Sequence, residues 1–303
     1  MGTPHFAAKA LSGLLAAGFD VVSVVTRPDA GKGRGGKLTS SEVKLEAERH
    51  NLPVYQPKNK AELIQIVEIV APELVVVAAY GMIIPQEALD IPKYGALNIH
   101  GSILPNYRGA SPIAESLLNG DEKTGITIIK MSAGMDEGDV ISSFELLIPN
   151  DSTTETLTNE MADLGARAIV KTIPGYLEGS QKPVPQNSKL ATYCKKITKE
   201  DGHIDWNLPA VQIERIIRAY NTWPTAYTFL DGKRVKVLKA KEIPGLRPGM
   251  TEIGVLNFEN GHVYVNTGKN TLELLQIQPE GKKPVAAKDF INGNKNLDKS
   301  KFN

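Results

Sequence analysis

The sequence predicts an α/β chain, a doubly wound and mostly parallel sheet followed by a small OB-like β-barrel. Three observations carry that prediction. Short β-branched apolar runs alternate with stretches of helical spacing up to about residue 205, the pattern of a parallel sheet covered by helices on both faces. Beyond that point the chain changes to short strands punctuated by Gly249, Gly254, Gly261 and Gly268, the texture of a small barrel. At 303 residues, 41% hydrophobic and 23% charged, the chain has room for about two domains and an ordinary globular composition. The expected division is 1–204 and 205–303.

The elements follow in order. Phe6 to Ala17 places Leu11, Leu14 and Leu15 on one helical face. Val21 to Thr26 (V-V-S-V-V-T) reads as a buried strand. Ser40 or Ser41 is suited to cap a helix running to about Arg49. Val54-Tyr55 starts a short strand, Ala61 to Val70 is helical, and Leu74 to Ala79 is a fully buried strand. Pro85 to Leu89 makes a helical turn and Gly95 to His100 another strand. Pro112 to Asn119 is a helix ended by Gly120, and Thr124 to Met131 is a further strand. Ser152-Thr153-Thr154-Glu155 signals the start of a helix from Thr153 to Leu177. Gly179 to Asn187 is Pro-rich and polar, a connection. Leu208 to Tyr220 is the last long helix, and Phe229 to Val235 a hairpin turning at Asp231-Gly232.

Net charge is +1, which points to no global electrostatic partner, but the charge is unevenly spread. Residues 1–204 hold 20 Lys and Arg against 24 Asp and Glu, and residues 205–303 hold 15 against 10. A mildly basic C-terminal part is suited to a polyanion. Cys194 is the only cysteine, so no internal disulfide is possible and a reducing cytoplasm is expected. No CxxC, HExxH or clustered His pair suggests a metal. No apolar run approaches the length of a membrane span.

The chemistry-bearing residues gather around one apolar turn. Asn98, His100, Ser102 and Arg108 lie in L-N-I-H-G-S-I-L-P-N-Y-R-G (Leu97 to Gly109), and Asp136 lies in M-S-A-G-M-D-E-G-D (Met131 to Asp139). Asn98 and His100 are two apart, so a strand presents both on one side. His100 also stands at a strand's carboxyl end, where open α/β sheets bind ligands. An amide donor, an imidazole and a carboxylate are the parts needed for attack on a carbonyl carbon.

Residues 27–38 read R-P-D-A-G-K-G-R-G-G-K-L. They match two phosphate-binding patterns only formally. Leu38 stands where a phosphate loop needs Ser or Thr, and Pro28 separates the glycines from the strand that a dinucleotide turn should follow directly. A mobile basic loop fits better. Glycine supplies its freedom, and Arg27, Lys32, Arg34 and Lys37 its attraction for phosphate.

The Asn-x-His strand, the S-I-L-P-x-x-x-G turn and the later Asp resemble the folate-dependent formyltransferases. G-T-P-H-F-A, A-Y-G-M-I-I-P, I-D-W (Ile204 to Trp206), R-A-Y-N-T-W-P (Arg218 to Pro224) and V-K-V-L-K-A (Val235 to Ala240) extend the resemblance over essentially the whole chain. It implies a Rossmann-like formyltransferase core and a formyl transfer from 10-formyltetrahydrofolate, with no metal. The methionyl-tRNA branch carries a basic loop at this position and a C-terminal barrel that contacts tRNA. The implied acceptor is therefore the α-amine of initiator methionyl-tRNA, in translation initiation. Asn98, His100 and Asp136 are then the catalytic candidates. Ser102, Ile103, Leu104 and Pro105 form the folate-binding turn, with Met82, Ile83 and Ile84 as further walls. Arg34, Lys32 and Lys37 are the tRNA contacts. A monomer is expected.

Two other readings share these features: a formyltransferase acting on an amino sugar nucleotide, and a catalytically silent binding protein on the same fold. The family's G-T-P-x-F-A turn follows a buried central strand, whereas here Met1 directly precedes Gly2. A strand slot open between two parallel neighbours is expected there, with the true start upstream.

Overall fold

The computed structural model describes residues 1–32, 37–245 and 252–303. They form two compact units. The first comprises 1–113, 122–148 and 157–195, and the second 114–121, 149–156 and 196–303.

The first unit begins with α1 (His5–Ala16) and β1 (Val24–Val25). This strand is shorter than the expected run because Val22 is exposed and contributes nothing to a buried ladder. A small hairpin follows, β2 (Ala30–Lys32) against β3 (Lys37–Thr39). Ser41 is the N-cap of α2 (Glu42–Arg49), its hydroxyl accepting from Lys44 N at 3.1 Å. Then come β4 (Val54–Tyr55), α3 (Lys60–Val70), β5 (Val75–Val77), α4 (Gln86–Asp90) and β6 (Ala96–His100). After β7 (Arg108–Gly109), α5 (Pro112–Asn119) starts in this unit and runs into the second. Next are β8 (Lys123–Lys130), β9 (Val140–Leu147) and α6 (Thr154–Leu177), whose first turn belongs to the second unit. The unit closes with β10 (Tyr193–Cys194).

The sheet is mixed. β1 pairs β4 and β5 pairs β6 in parallel, but β6 pairs β8 antiparallel, and β8 pairs β9 antiparallel. The expected parallel pairing runs through β1, β4, β5 and β6, and β8 and β9 add an antiparallel part to the sheet. A run of buried β-branched residues such as Ile126, Thr127, Ile128 and Ile129 demands burial on both faces but does not specify direction. β9, for which the sequence predicts no element, is a half-exposed strand whose alternation is blurred by Ser142 and Ser143. α6 lies close on β6 because Gly165 carries no side chain; a Cβ there would stand 3.0 Å from Ile99 Cγ2 and 3.4 Å from Phe6 Cζ.

Between β1 and β5, Met1 and Gly2 bridge the two strands. Gly2 N donates to Val25 O at 3.0 Å, Ala78 N to Met1 O at 3.0 Å, and the Met1 amine to Val76 O at 2.6 Å. Beyond that stub lies a cavity of about 450 Å³, lined largely by apolar side chains including Leu11, Leu14, Val24, Val67, Val75 and Ile173.

The second unit contains α7 (Ala210–Ala219), β11 (Tyr227–Leu230), β12 (Lys233–Ile243), β13 (Leu256–Glu259), β14 (His262–Asn266), β15 (Thr271–Pro279), β16 (Val285–Ala286) and α8 (Ala287–Asn292). The strand order is β11-β12-β15-β14-β13, with β16 beside β15, all antiparallel. Asp231 and Gly232 both have positive φ, as a two-residue hairpin turn requires. The expected barrel is a curled sheet whose edges are bridged by the C-terminal tail. Phe229 and Asn303 exchange backbone hydrogen bonds, and Phe302 N donates to Gly254 O at 2.8 Å. Ile204, Trp206, Ile213 and Ile217 enter the core of this sheet, which draws residues from Lys196 onward into the second unit. Gly249 lies outside the described residues.

None of the described helices is long and apolar enough to cross a membrane. Among the described residues no cluster of three His, Cys, Asp or Glu side chains is placed to hold a metal ion.

Candidate active site

Strand β6 carries Asn98 and His100 to one side of the sheet, and the loop after β8 returns Asp136 to meet them. Asn98 Nδ2 donates to Asp136 Oδ1 at 3.3 Å, and His100 Nδ1 stands 3.4 Å from the same oxygen. The other carboxylate oxygen accepts from Gly109 N at 2.9 Å. His100 Nε2 faces Tyr107 O at 3.1 Å. Both ring nitrogens thus face oxygen atoms. His100 is buried and Asp136 nearly so.

The carboxylate is held in a charged form by its neighbours. Burial pushes the Asp136 carboxyl upward. The His100 hydrogen bond and charge, the Gly109 N–H and the Arg108 charge together outweigh it and leave the group below the ordinary 3.8. Asp136 pays for its position in backbone strain, with φ +54°, a left-handed conformation that costs a non-glycine residue roughly 1–2 kcal/mol.

The turn after β6 is pinned from below. Thr127 Oγ1 on β8 donates to Ser102 O at 2.7 Å and accepts from Leu104 N at 3.1 Å. Ser102 is fully buried, and its hydroxyl is used inside the turn, donating to Asn106 O at 2.5 Å. Leu104 is buried as well. Ile103 and Pro105 keep part of their surface, and Pro105 O accepts from Thr192 N at 3.2 Å. Met82 packs on the core cluster around Val77 and Ile84, while Ile83 is exposed. Lys32 and Lys37 are backbone partners in the β2–β3 ladder. Arg34 lies outside the described residues.

Sequence reasoning missed the wall formed by residues 186–194. β10 pairs in parallel with β7, Arg108 opposite Tyr193. Tyr107 N donates to Thr192 Oγ1 at 2.9 Å and Arg108 N to Thr192 O at 2.9 Å. A Cβ on Gly109 would fall 2.2 Å from Cys194 O, so only glycine permits this approach. Arg108 is 1% exposed, and its Nε and Nη2 both donate to Gln186 Oε1, at 3.0 and 2.8 Å. The Pro-rich stretch that carries Gln186 reads as a connection because a lone polar residue among prolines has no local signature.

A carboxylate, an imidazole and an amide within hydrogen-bond reach of one another can stabilise a developing oxyanion and move a proton from an attacking nitrogen. Comparisons with known proteins give this geometry a family. Residues 1–173 match the model of the formyl transferases, and residues 196–295 match that of the formyl transferase C-terminal domain. The chain is 42% identical over 296 residues to a methionyl-tRNA formyltransferase from Pseudoalteromonas translucida (strain TAC 125), covering 96% of this chain and 92% of that protein.

Solved structures share the fold. A methionyl-tRNA formyltransferase from Clostridium thermocellum superposes with a TM-score of 0.53 at 22% identity, over 76% of this chain and 96% of that one. WlaRD, a sugar 3N-formyl transferase solved in the presence of dTDP and 5-N-formyl-THF, gives 0.66 at 18% identity, over 93% and 97%. HypX from Aquifex aeolicus, in complex with tetrahydrofolic acid, gives 0.59 at 18% identity. The chain covers 81% of its own length in that match but spans only 43% of HypX.

Proposed function

This chain belongs to the formyl transferase family, and from that premise we propose that it transfers a formyl group from 10-formyltetrahydrofolate to the α-amine of initiator methionyl-tRNA. The observation that carries the proposal is the convergence of Asn98 and His100 on Asp136 Oδ1. The near-full-length relative that acts on methionyl-tRNA selects the acceptor.

The α-amine attacks the formyl carbon, forming a C–N bond and leaving the carbonyl oxygen as an oxyanion. Asn98 has a second amide N–H free of the Asp136 contact, and it donates to that oxygen; one such donor is worth ~2.7–4 kcal/mol of barrier. His100 assists, and with Asp136 accepts the proton released by the attacking nitrogen. The tetrahedral intermediate collapses by breaking the bond to folate nitrogen, which takes up a proton. Asp136 orients the imidazole and stabilises its charged form, and its lowered pKa presents it as a carboxylate that can relay the proton.

Ser102 and Leu104 act through backbone and packing, shaping the turn on which the folate rests. Ile103 and Pro105 offer it apolar surface, with Met82 and Ile83 as further walls. Lys32 and Lys37, backbone partners in the β2–β3 ladder, and Arg34 between them in the sequence are the basic residues suited to the phosphates of an acceptor stem.

The test is an acceptor comparison with purified protein and 10-formyltetrahydrofolate. Formylmethionyl-tRNA should form, and a dTDP-linked amino sugar should remain unmodified. Turnover of the sugar alone would reassign the acceptor, and folate binding without turnover of either would make the protein a binder.

A further inference from the structure

We propose that Gln186 is a positioning residue for the formyl transfer, holding the backbone of Asp136 in the conformation that delivers its carboxylate to His100 and Asn98. The inference rests on the reading of Asp136 given above. Gln186 Nε2 donates to Asp136 O at 2.8 Å and to Gly138 O at 2.7 Å. Its Oε1 accepts the two hydrogen bonds from Arg108. One side chain therefore uses its full hydrogen-bonding capacity, and every bond goes either to the Asp136 loop or to the residue preceding Gly109.

The two ends of this clamp meet at the same carboxylate. Gly109 N donates to Asp136 Oδ2, so Arg108 and Asp136 are adjacent to the two halves of one contact. Gln186 ties those halves together a second time, through Arg108 on one side and the carbonyls flanking Glu137 on the other. The tie matters because Asp136 sits at φ +54°. Gly138 adds a constraint: a Cβ there would lie 1.9 Å from Lys130 O, so the loop is drawn tightly onto the end of β8. A strained loop persists only where its surroundings over-determine it. Gln186 cannot swing away cheaply, because Arg108 is buried and would lose two acceptor contacts. Glu137 Oε1, at 3.6 Å from Arg108 Nη1, and Tyr193 OH, at 3.4 Å, are longer contacts and do not replace them.

Two substitutions separate positioning from folding. Gln186→Met removes both ends of the clamp. Gln186→Glu keeps the acceptor for Arg108, and thus its buried partner, but removes the donor to the two loop carbonyls. Both should lower kcat for methionyl-tRNA by ~10- to 100-fold, the range that small misplacements of a reacting group produce. Tetrahydrofolate Kd should stay within about threefold of wild type, since no clamp atom belongs to the folate turn. The acid limb of the Gln186→Met pH–rate profile should move upward as the released loop draws the carboxylate away from His100 and the Gly109 N–H, which favour its charge.

Asp136→Asn is the control for the underlying reading. If Asp136→Asn is inert while Gln186→Glu keeps wild-type kcat and pH profile, the positioning role is overturned and the reading of Asp136 stands. If Asp136→Asn itself retains wild-type kcat, the site assignment fails first. Folding loss in Gln186→Met with normal kcat in Gln186→Glu would make Gln186 a purely structural residue and also overturn the proposal.

Discussion

Asp136 Oδ2 accepts the backbone N–H of Gly109 at 2.9 Å, so the carboxylate is anchored to main chain before it meets either catalytic candidate. That bond leaves Oδ1 to be shared by Asn98 and His100. The three side chains therefore form one contact cluster.

Replacing His100 or Asp136 by Ala should each lower kcat by ~10²–10⁴-fold, the contribution of a positioned proton-transfer group. Because they act together, the double variant should cost little more than the worse single. Steady-state rates with methionyl-tRNA, checked against circular dichroism, decide the matter. Losses that multiply would assign the two residues independent roles.

The Asp136 carboxyl lies below 3.8, with burial opposing and His100 favouring ionisation. Its carboxylate is present at all pH values above that lowered value and is lost only as pH falls through it, taking its contribution to stability along. In His100→Ala the restraining hydrogen bond and charge vanish while burial remains. The Asp136 carboxyl pKa should therefore rise, as read from its ¹³C chemical shift during titration. An unchanged pKa would mean that His100 does not hold the carboxylate charged.

Arg34→Ala should weaken use of charged tRNA and leave tetrahydrofolate binding intact. If the basic hairpin works through phosphates, the salt slope of tRNA affinity should become shallower and the defect should shrink at higher salt. Lys32→Ala and Lys37→Ala should show the same trend to a smaller degree. A matching loss of folate affinity would move the hairpin into the donor pocket.

The cavity of about 450 Å³ beside Met1 and Gly2 is lined largely by apolar side chains. Adding four apolar β-branched residues ahead of Met1 should raise the urea midpoint, because each side chain that fills the cavity contributes ~1.5–3 kcal/mol. Equal midpoints with and without the extension would show that the groove between β1 and β5 does not accept a strand.

Much of the frame was legible in the residues themselves. The helical spacing of Leu11 and Leu14, the capping Ser41 and the Asp231-Gly232 turn each act within a few residues, and each appears where expected. Asn98 and His100 could be paired because strand periodicity is a local property. Strand direction is not local: nothing in Ile126, Ile128 and Ile129 distinguishes an antiparallel neighbour of β6 from a parallel one.

By itself the sequence determined which side chains are available for chemistry and which stretches must be buried, since both follow from residue type and short-range period. Only the tertiary structure decided what holds that chemistry in place. Gln186 meets Arg108 across 78 positions and Asp136 across 50, Thr127 pins Ser102 from a neighbouring strand, and Cys194 O lies where a Gly109 side chain would be. Such contacts carry no pattern along the chain, because a hydrogen bond depends on where two polar groups end up and not on how far apart they are written.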